Sequence, residues 1–147
     1  MINLIDGKSR GQVKQKAGCN MGERDLAMLL REMEPVLHDA AYGFAVWGSG
    51  TLPFAAFATV AEAEGLTVVA DLAAMRAAGL LSDPWARISL TIHSDLAAVG
   101  LTAALAAALA GVGISANVIA GFHHDHIFVQ WDQREAALAA LRALADA

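Results

Sequence analysis

Lysine and cysteine are absent from most of this 147-residue chain. All three lysines lie among the first 16 residues, and the single cysteine is Cys19. From residue 21 onward there are six arginines and 14 acidic residues, a net charge of −8. The absence of cysteine from this part excludes a disulfide framework there. The acidic surplus argues against nucleic acid and anionic membranes as partners, because binding either requires clustered lysine and arginine.

Residues 1–20 differ in composition from the rest of the chain. They carry four cationic residues and one aspartate, a net charge of +3, and the change falls at Asn20-Met21. We interpret them as an expression leader or a misassigned start, with Met21 as the natural first residue. A native basic arm is the alternative. The segment has no apolar run typical of a signal peptide, so we expect a cytoplasmic protein.

The chain is apolar enough to form a sizeable core. It is 56% hydrophobic and 17% charged, with a mean hydropathy of +0.47. One stretch, Leu96 to His126, contains Asp125 as its single charged residue and is long enough to span a bilayer. It is rich in alanine and glycine and has no flanking cations or aromatic anchors. We therefore favour a buried helix followed by a strand over a transmembrane segment.

The second half of the chain predicts the element order β-α-β-β-α. Residues Ile88, Leu90 and Ile92 alternate with polar residues, which is typical of a half-buried strand. Ser94 or Asp95 is expected to cap the helix that follows. Its elements are expected at Arg87–His93, Leu96–Ala110, Ile114–Ala120 and His126–Trp131, with a last helix capped by Asp132 and running through Leu144.

The first half predicts the order α-β-β-β-α. Asp71 is a candidate N-cap for its second helix, and Gly79 is expected to end that helix. The sequence therefore indicates two small α+β units at 21–83 and 84–147, joined by a loop-rich linker. The first-half elements are expected at 24–33, Tyr42–Trp47, Phe54–Val60, Leu66–Ala70 and Leu72–Ala78.

A candidate ligand site lies in the polar loop His93 to Leu101. A helix N-terminus there presents free N–H groups that bind carboxylates. Asp95 suits a ligand ammonium, and Asn117 on the next strand offers both a donor and an acceptor. Gly100 allows a close approach of the ligand. The alternative is that Ser94 and Asp95 are ordinary helix caps and Gly100 is a packing glycine.

The run His123-His124-Asp125-His126 raises the question of a metal. His124 and His126 lie on one face of an extended strand, but a metal site needs a further ligand. His93 and His38 are candidates that nothing in the sequence places nearby. We favour a polar hairpin turn in which Asp125 bonds the turn backbone, and we predict no metal or cofactor.

The sequence gives weak support for catalysis. It has neither the GxSxG motif of serine hydrolases nor a glycine-rich phosphate loop. We therefore predict no catalytic residue.

Several segments together resemble bacterial stand-alone proteins built from two tandem ACT-like units. The resemblance implies two ferredoxin-like units, each an antiparallel sheet with helices on one face in the order β-α-β-β-α-β. The second half fits this order without its last strand, and the segment 25–47 can supply missing pieces by exchange between units. The resemblance rests on His93–Ala103, Gly113–Val118, Gly121–Val129 and, in the first half, Glu62–Thr67.

The resemblance also implies a function. Such units are similar to the regulatory domains of aspartate kinase, pair their sheets edge to edge, and bind an amino acid near the first strand-to-helix loop. We expect a non-enzymatic regulatory protein that forms a homodimer. A structural module that binds no small ligand is the alternative, and a metal-dependent enzyme is a third possibility. The predicted binding residues are His93, Ser94, Asp95, Val99, Gly100, Leu101, Asn117 and Ile119.

Overall fold

The computed structural model describes residues 22–147, so the interpretation of residues 1–20 as a leader lies outside the described residues. This part of the chain forms four α-helices and six β-strands, with a 3₁₀ turn at Trp131–Gln133. The helices are α1 (Leu26–Glu32), α2 (Leu72–Ala77), α3 (Leu101–Gly111) and α4 (Arg134–Ala145). The strands are β1 (Pro35–Trp47), β2 (Ala56–Glu62), β3 (Gly65–Asp71), β4 (Trp85–Leu90), β5 (Asn117–Ala120) and β6 (Asp125–Gln130).

All six strands form one antiparallel sheet in the order β2-β3-β1-β4-β6-β5. The long strand β1 lies near the middle. Its second half, Tyr42–Trp47, pairs with β3, and its first residues pair with β4. The register with β4 shifts between Leu37 and Ala41, where β1 carries a bulge.

Strands β1 and β4 each complete the sheet of both halves, although β1 lies in the first half of the sequence and β4 in the second. In the second half, β4, β6 and β5 are adjacent, and β1 flanks β4 where a closing strand would follow α4. In the first half, β1, β3 and β2 are adjacent, and β4 closes the order after α2. The α+β class with antiparallel strands is thus confirmed, and the segment 25–47 does supply the missing strand.

One face of the sheet holds the helices and the main core. Fully buried side chains of β4 and β6, such as Ile88 and Ile127, meet Leu105 and Leu109 of α3 and Leu141 of α4. Burying each such side chain stabilises the fold by about 1.5–3 kcal/mol. Helix α2 covers β1 and β3 on this same face. A Cβ atom on Gly43 would lie 2.8 Å from Sδ of Met75, so a side chain at this position would require Met75 to shift for α2 to pack as it does.

No helix formed by residues 22–147 lies on the opposite face, which is filled by aromatic rings. Phe57 of β2 lies 5.5 Å from Phe128 of β6, measured between ring centroids, although three strands separate β2 from β6. The sheet therefore curls around this face. Tyr42 and Phe44 of β1 also meet Phe128 in edge-to-face contacts. Phe128 is fully buried as a result.

The predicted elements are present, with some boundaries displaced. Helix α2 is capped as expected, since Asp71 Oδ1 accepts from the Ala74 N–H at 3.0 Å. The cap predicted for the last helix is wrong. A 3₁₀ turn takes up Asp132, and α4 begins at Arg134 without a side-chain cap. No helix among residues 22–147 is long and apolar enough to cross a membrane.

Candidate ligand-binding site

The loop at residues 91–100 joins β4 to α3 and is held by the chain that precedes α1. The Glu23 N–H donates to the His93 carbonyl, and the Asp95 N–H donates to the Glu23 carbonyl, both at 3.0 Å. Gly22 fits tightly beside this bridge, because a Cβ atom there would lie 2.6 Å from the carbonyl carbon of Ser94. The loop is therefore held in place by a distant part of the chain, the segment that precedes α1.

Helix α3 begins later than the sequence predicts. Its N-cap is Gly100, at φ +97°, and no side chain caps it. Asp95 instead caps a turn within the loop, since its Oδ1 accepts from the Ala97 N–H at 2.8 Å. The prediction that Ser94 or Asp95 caps the helix is thus wrong. The first N–H groups of α3 have no partner within the helix, and the N-cap has no side chain to accept from them.

Three buried polar side chains converge beside this helix end. Ser94, Asp95 and Asp125 are 7%, 5% and 8% exposed, and they are the buried polar residues of the described chain. They line a cavity of about 60 Å³ together with Leu101 and Thr102 from the first turn of α3. Ser94 Oγ donates to Asp125 Oδ2 at 2.9 Å. Two carboxylates and the positive end of a helix dipole therefore face the same space.

Asp95 accepts a hydrogen bond at each of its two carboxylate oxygens. Besides the Ala97 N–H on Oδ1, the Arg24 Nε–H donates to Oδ2 at 2.7 Å. These contacts, the Ala97 N–H first and the Arg24 hydrogen bond second, hold the pKa of Asp95 below its ordinary value. Asp95 is therefore ionised at neutral pH.

Comparison with known proteins identifies the family. Two models described as ACT domain match residues 21–87 and 81–143. A Vibrio cholerae protein of unknown function, described as a possible transport protein, is 44% identical, with a TM-score of 0.73. The match covers 83% of this chain and 97% of that one. This chain belongs to the ACT-domain family. Its two consecutive matches make it a tandem ACT protein.

More distant solved structures share the fold. An Agrobacterium tumefaciens protein is 18% identical over 78% of this chain and 90% of that one, with a TM-score of 0.65. The ligand-free regulatory subunit of aspartate kinase from Thermus thermophilus is 13% identical over 75% and 95%, with a TM-score of 0.55. No curated protein matches this chain.

The structure brings together only some of the residues predicted for this ACT site. Ser94, Asp95 and Leu101 line the cavity. Val99 is 84% exposed on the loop, and Gly100 packs against Leu26, whose Cδ2 would lie 3.0 Å from an added Cβ. Gly100 therefore has the packing role that the sequence left as an alternative.

Three other predicted residues do not line the cavity. Asn117 pairs with Phe128, three residues along β5 from Ala120, which lines the cavity. That spacing corresponds to about 10 Å along a strand. Ile119 pairs with His126. The His93 ring lies 5.3 Å from the His123 ring, and its Nε2 is buried without a partner among residues 22–147.

The sequence did not predict one residue that lines the cavity, Asp125, or the partner of another, Arg24. Asp125 was assigned to a turn, but it is the first residue of β6 and its side chain lies on the buried face with Ile127 and Val129. Strict alternation along Asp125-His126-Ile127 would have indicated this. Arg24 had no signal in the sequence, because its contact with Asp95 spans 71 residues.

The same alternation along β6 places the side chains of Asp125 and His126 on opposite faces of the sheet. His126 lies half-buried on the aromatic face of the sheet, where its Nδ1 is 2.7 Å from Ser89 Oγ. His124 is exposed and its Nδ1 lies 3.3 Å from the Ile92 carbonyl oxygen. Among residues 22–147, no three metal-binding side chains form a group.

Proposed function

We propose that this tandem ACT protein is a regulatory protein that binds a free amino acid beside the N-terminus of α3. The observation that carries the proposal is the convergence of Ser94, Asp95 and Asp125, the buried polar residues of the described chain, on one cavity at this helix end. Buried carboxylates are costly unless they have partners. Asp95 accepts from Arg24 and the Ala97 N–H, and Asp125 accepts from Ser94, so a ligand cation would add to these contacts or replace one of them.

The charges around the cavity match the two charged groups of an amino acid. Asp95 and Asp125 supply two negative charges and Arg24 one positive charge, so the side chains favour an ammonium group. The free N–H groups of the first turn of α3 favour a carboxylate. At about 60 Å³ the cavity has roughly the volume of two water molecules, which suits one charged end of the ligand. The ligand side chain would lie outside it.

The same surface suggests how binding would act on the rest of the protein. The loop that leads into α3 lines the cavity, and the Glu23–Arg24 segment, which leads directly into α1, is hydrogen-bonded to this loop. A ligand that engages Asp95 competes with Arg24 for the same carboxylate. Binding would thereby shift α1 relative to α3 and report metabolite level to a partner. We propose a cytoplasmic, non-enzymatic role on this basis.

A second candidate function is an oligomerisation module without a small ligand. Strand β2 is an edge of the sheet, and its seven residues pair only with β3 within residues 22–147. Val60 on this strand is half exposed. Edge strands of this kind pair readily with a second chain. We propose a homodimer through β2, which light scattering after size-exclusion chromatography tests by its mass.

The ligand proposal is tested by thermal unfolding of the full chain with each of the twenty amino acids. A ligand at 100 times its Kd stabilises the fold by about 2.7 kcal/mol, a rise of several degrees in Tm. Asp95→Ala and Asp125→Asn should abolish the rise, whereas Asn117→Ala, on β5 outside the cavity, should retain it. If no amino acid raises Tm at millimolar concentration, the ligand proposal is wrong and the oligomerisation module is favoured.

A further inference from the structure

The aromatic face of the sheet contains a directed chain of hydrogen bonds that the loop cavity does not use. Arg87 Nη2 lies 2.9 Å from His38 Nδ1, His38 Nε2 lies 2.8 Å from Ser89 Oγ, and Ser89 Oγ lies 2.7 Å from His126 Nδ1. A guanidinium only donates, so His38 Nδ1 must accept. Neutral His38 then donates from Nε2 to Ser89, and the Ser89 hydroxyl donates to His126.

Arg87, at the start of this chain, is a cation without a carboxylate partner. Its guanidinium carbon lies 4.8 Å from the Tyr42 ring centroid and 4.6 Å from that of Phe57, so two rings cover its faces. Within the described chain no carboxylate lies at ion-pair distance from Arg87, and its Nε is buried without a partner. In a chain with a net charge of −5, an unpaired and partly buried cation indicates a place for an external anion.

A cavity of about 310 Å³ opens beside this cation. That volume is at the lower end of the range typical of small-molecule sites. Its titratable lining groups are all basic, and no acidic residue contributes to its wall. The polar and basic side chains that line the cavity are those of His38, Arg87, Ser89, Thr91, His124 and His126.

We propose that this cavity binds a small metabolite through an oxyanion group, a carboxylate or a phosphate, that pairs with Arg87 and accepts a hydrogen bond from His126. This site is separate from the loop cavity. His126 and Asp125 are neighbours in β6, and their side chains lie on opposite faces of the sheet. The two aromatic rings hold the guanidinium in place, so pairing with a ligand requires little further ordering of this side chain.

The proposal predicts that binding takes up protons. Burial first and Arg87 second lower the pKa of His38 and of His126, which keeps both imidazoles neutral at pH 7. An anion beside Arg87 offsets the effect of that cation and raises both pKa values. Binding should therefore tighten as pH falls. The other charged or titratable groups that act on these imidazoles are Asp39, His124 and Asp125.

The test is isothermal titration calorimetry of the full chain with sulfate and with succinate, at pH 6.5 and pH 8. Sulfate and succinate keep essentially fixed charges over this range, so a change in Kd with pH belongs to the protein. At least one anion should bind, several-fold more tightly at pH 6.5. A preference for sulfate indicates a phosphate-bearing ligand, and a preference for succinate indicates a carboxylate.

Two variants distinguish binding at this site from a general effect of the protein's positive charges on anions. Arg87→Gln should weaken binding at least tenfold, whereas Arg142→Gln, on exposed α4, should leave Kd unchanged. His126→Gln leaves Arg87 in place and should retain binding while reducing its dependence on pH. Because it spares the guanidinium, it also keeps the test valid if Arg87→Gln does not fold. The proposal is overturned if neither anion binds, if Arg87→Gln binds like the wild type, or if pH has no effect.

Discussion

Arg24 Nε lies 2.7 Å from Asp95 Oδ2, and this ion pair joins the segment before α1 to the loop before α3. The guanidinium is largely exposed, whereas the carboxylate is buried. Because the guanidinium is largely exposed to solvent, the pair contributes little to stability by itself. The pair matters for the candidate ligand site, because Asp95 also lines that cavity.

The first prediction concerns the pKa of Asp95. The Ala97 N–H is the largest cause of its lowered value and the Arg24 hydrogen bond is the second. Arg24→Gln should therefore raise the pKa of Asp95 but leave it below the ordinary value of about 3.9. A carboxyl NMR titration of both proteins measures this. An unchanged pKa would show that the ion pair does not form in solution.

The lowered pKa of Asp95 also determines how its contribution to the stability of the fold depends on pH. Because its folded-state pKa is lowered, Asp95 stabilises the fold above the unfolded pKa, and this contribution disappears as pH falls through the folded pKa. The difference in urea midpoint between wild type and Asp95→Asn should thus shrink below about pH 4. Asp83→Asn, at an exposed site, serves as the control and should show no such trend.

The second prediction concerns Gly100. Its φ of +97° disfavours any side chain, and a Cβ atom would lie 3.0 Å from Cδ2 of Leu26. Gly100→Ala should therefore destabilise the protein by about 1–3 kcal/mol in urea unfolding. Gly111→Ala is the matched control at the other end of α3, where a Cβ atom meets nothing within 4 Å. It should be neutral or stabilising by about 0.5–1 kcal/mol.

The third prediction concerns the curl of the sheet. Phe57 brings β2 into contact with Phe128 and His126 of β6. Phe57→Ala should cost about 2 kcal/mol, since the ring is half-buried and both contacts are lost. Phe122→Ala, at a position 61% exposed, should change stability by less than about 0.5 kcal/mol. Equal effects of the two substitutions would show that the aromatic face is open in solution.

Local patterns predicted much of the fold. The alternation around Ile88 and Leu90 located β4, and Asp71 was recognised as the cap of α2 because both signals depend only on nearby residues. The error at α3 has a local cause as well. An aspartate before small apolar residues caps a helix or a turn equally well, and Asp95 caps a turn.

Other features follow only from tertiary pairing. The first part of β1, at Pro35–Ala41, has no clear strand pattern and is extended because it pairs with β4. His38, Ser89 and His126 are separated by 51 and 37 residues and meet only through the register of three neighbouring strands. The loop cavity is similar, since Asp125 reaches Ser94 across 31 residues. Sequence spacing alone does not indicate such contacts.

The sharing of β1 and β4 between the two halves has a consequence for how the molecule comes apart. Removing the first half would leave β4 with one side unpaired, removing the second half would do the same to β1, and either loss would disrupt the core around Ile88. Neither half therefore has a complete interior of its own. The two ACT units should unfold together in a single cooperative transition. A substitution that destabilises one edge of the sheet should therefore lower the stability of the whole domain.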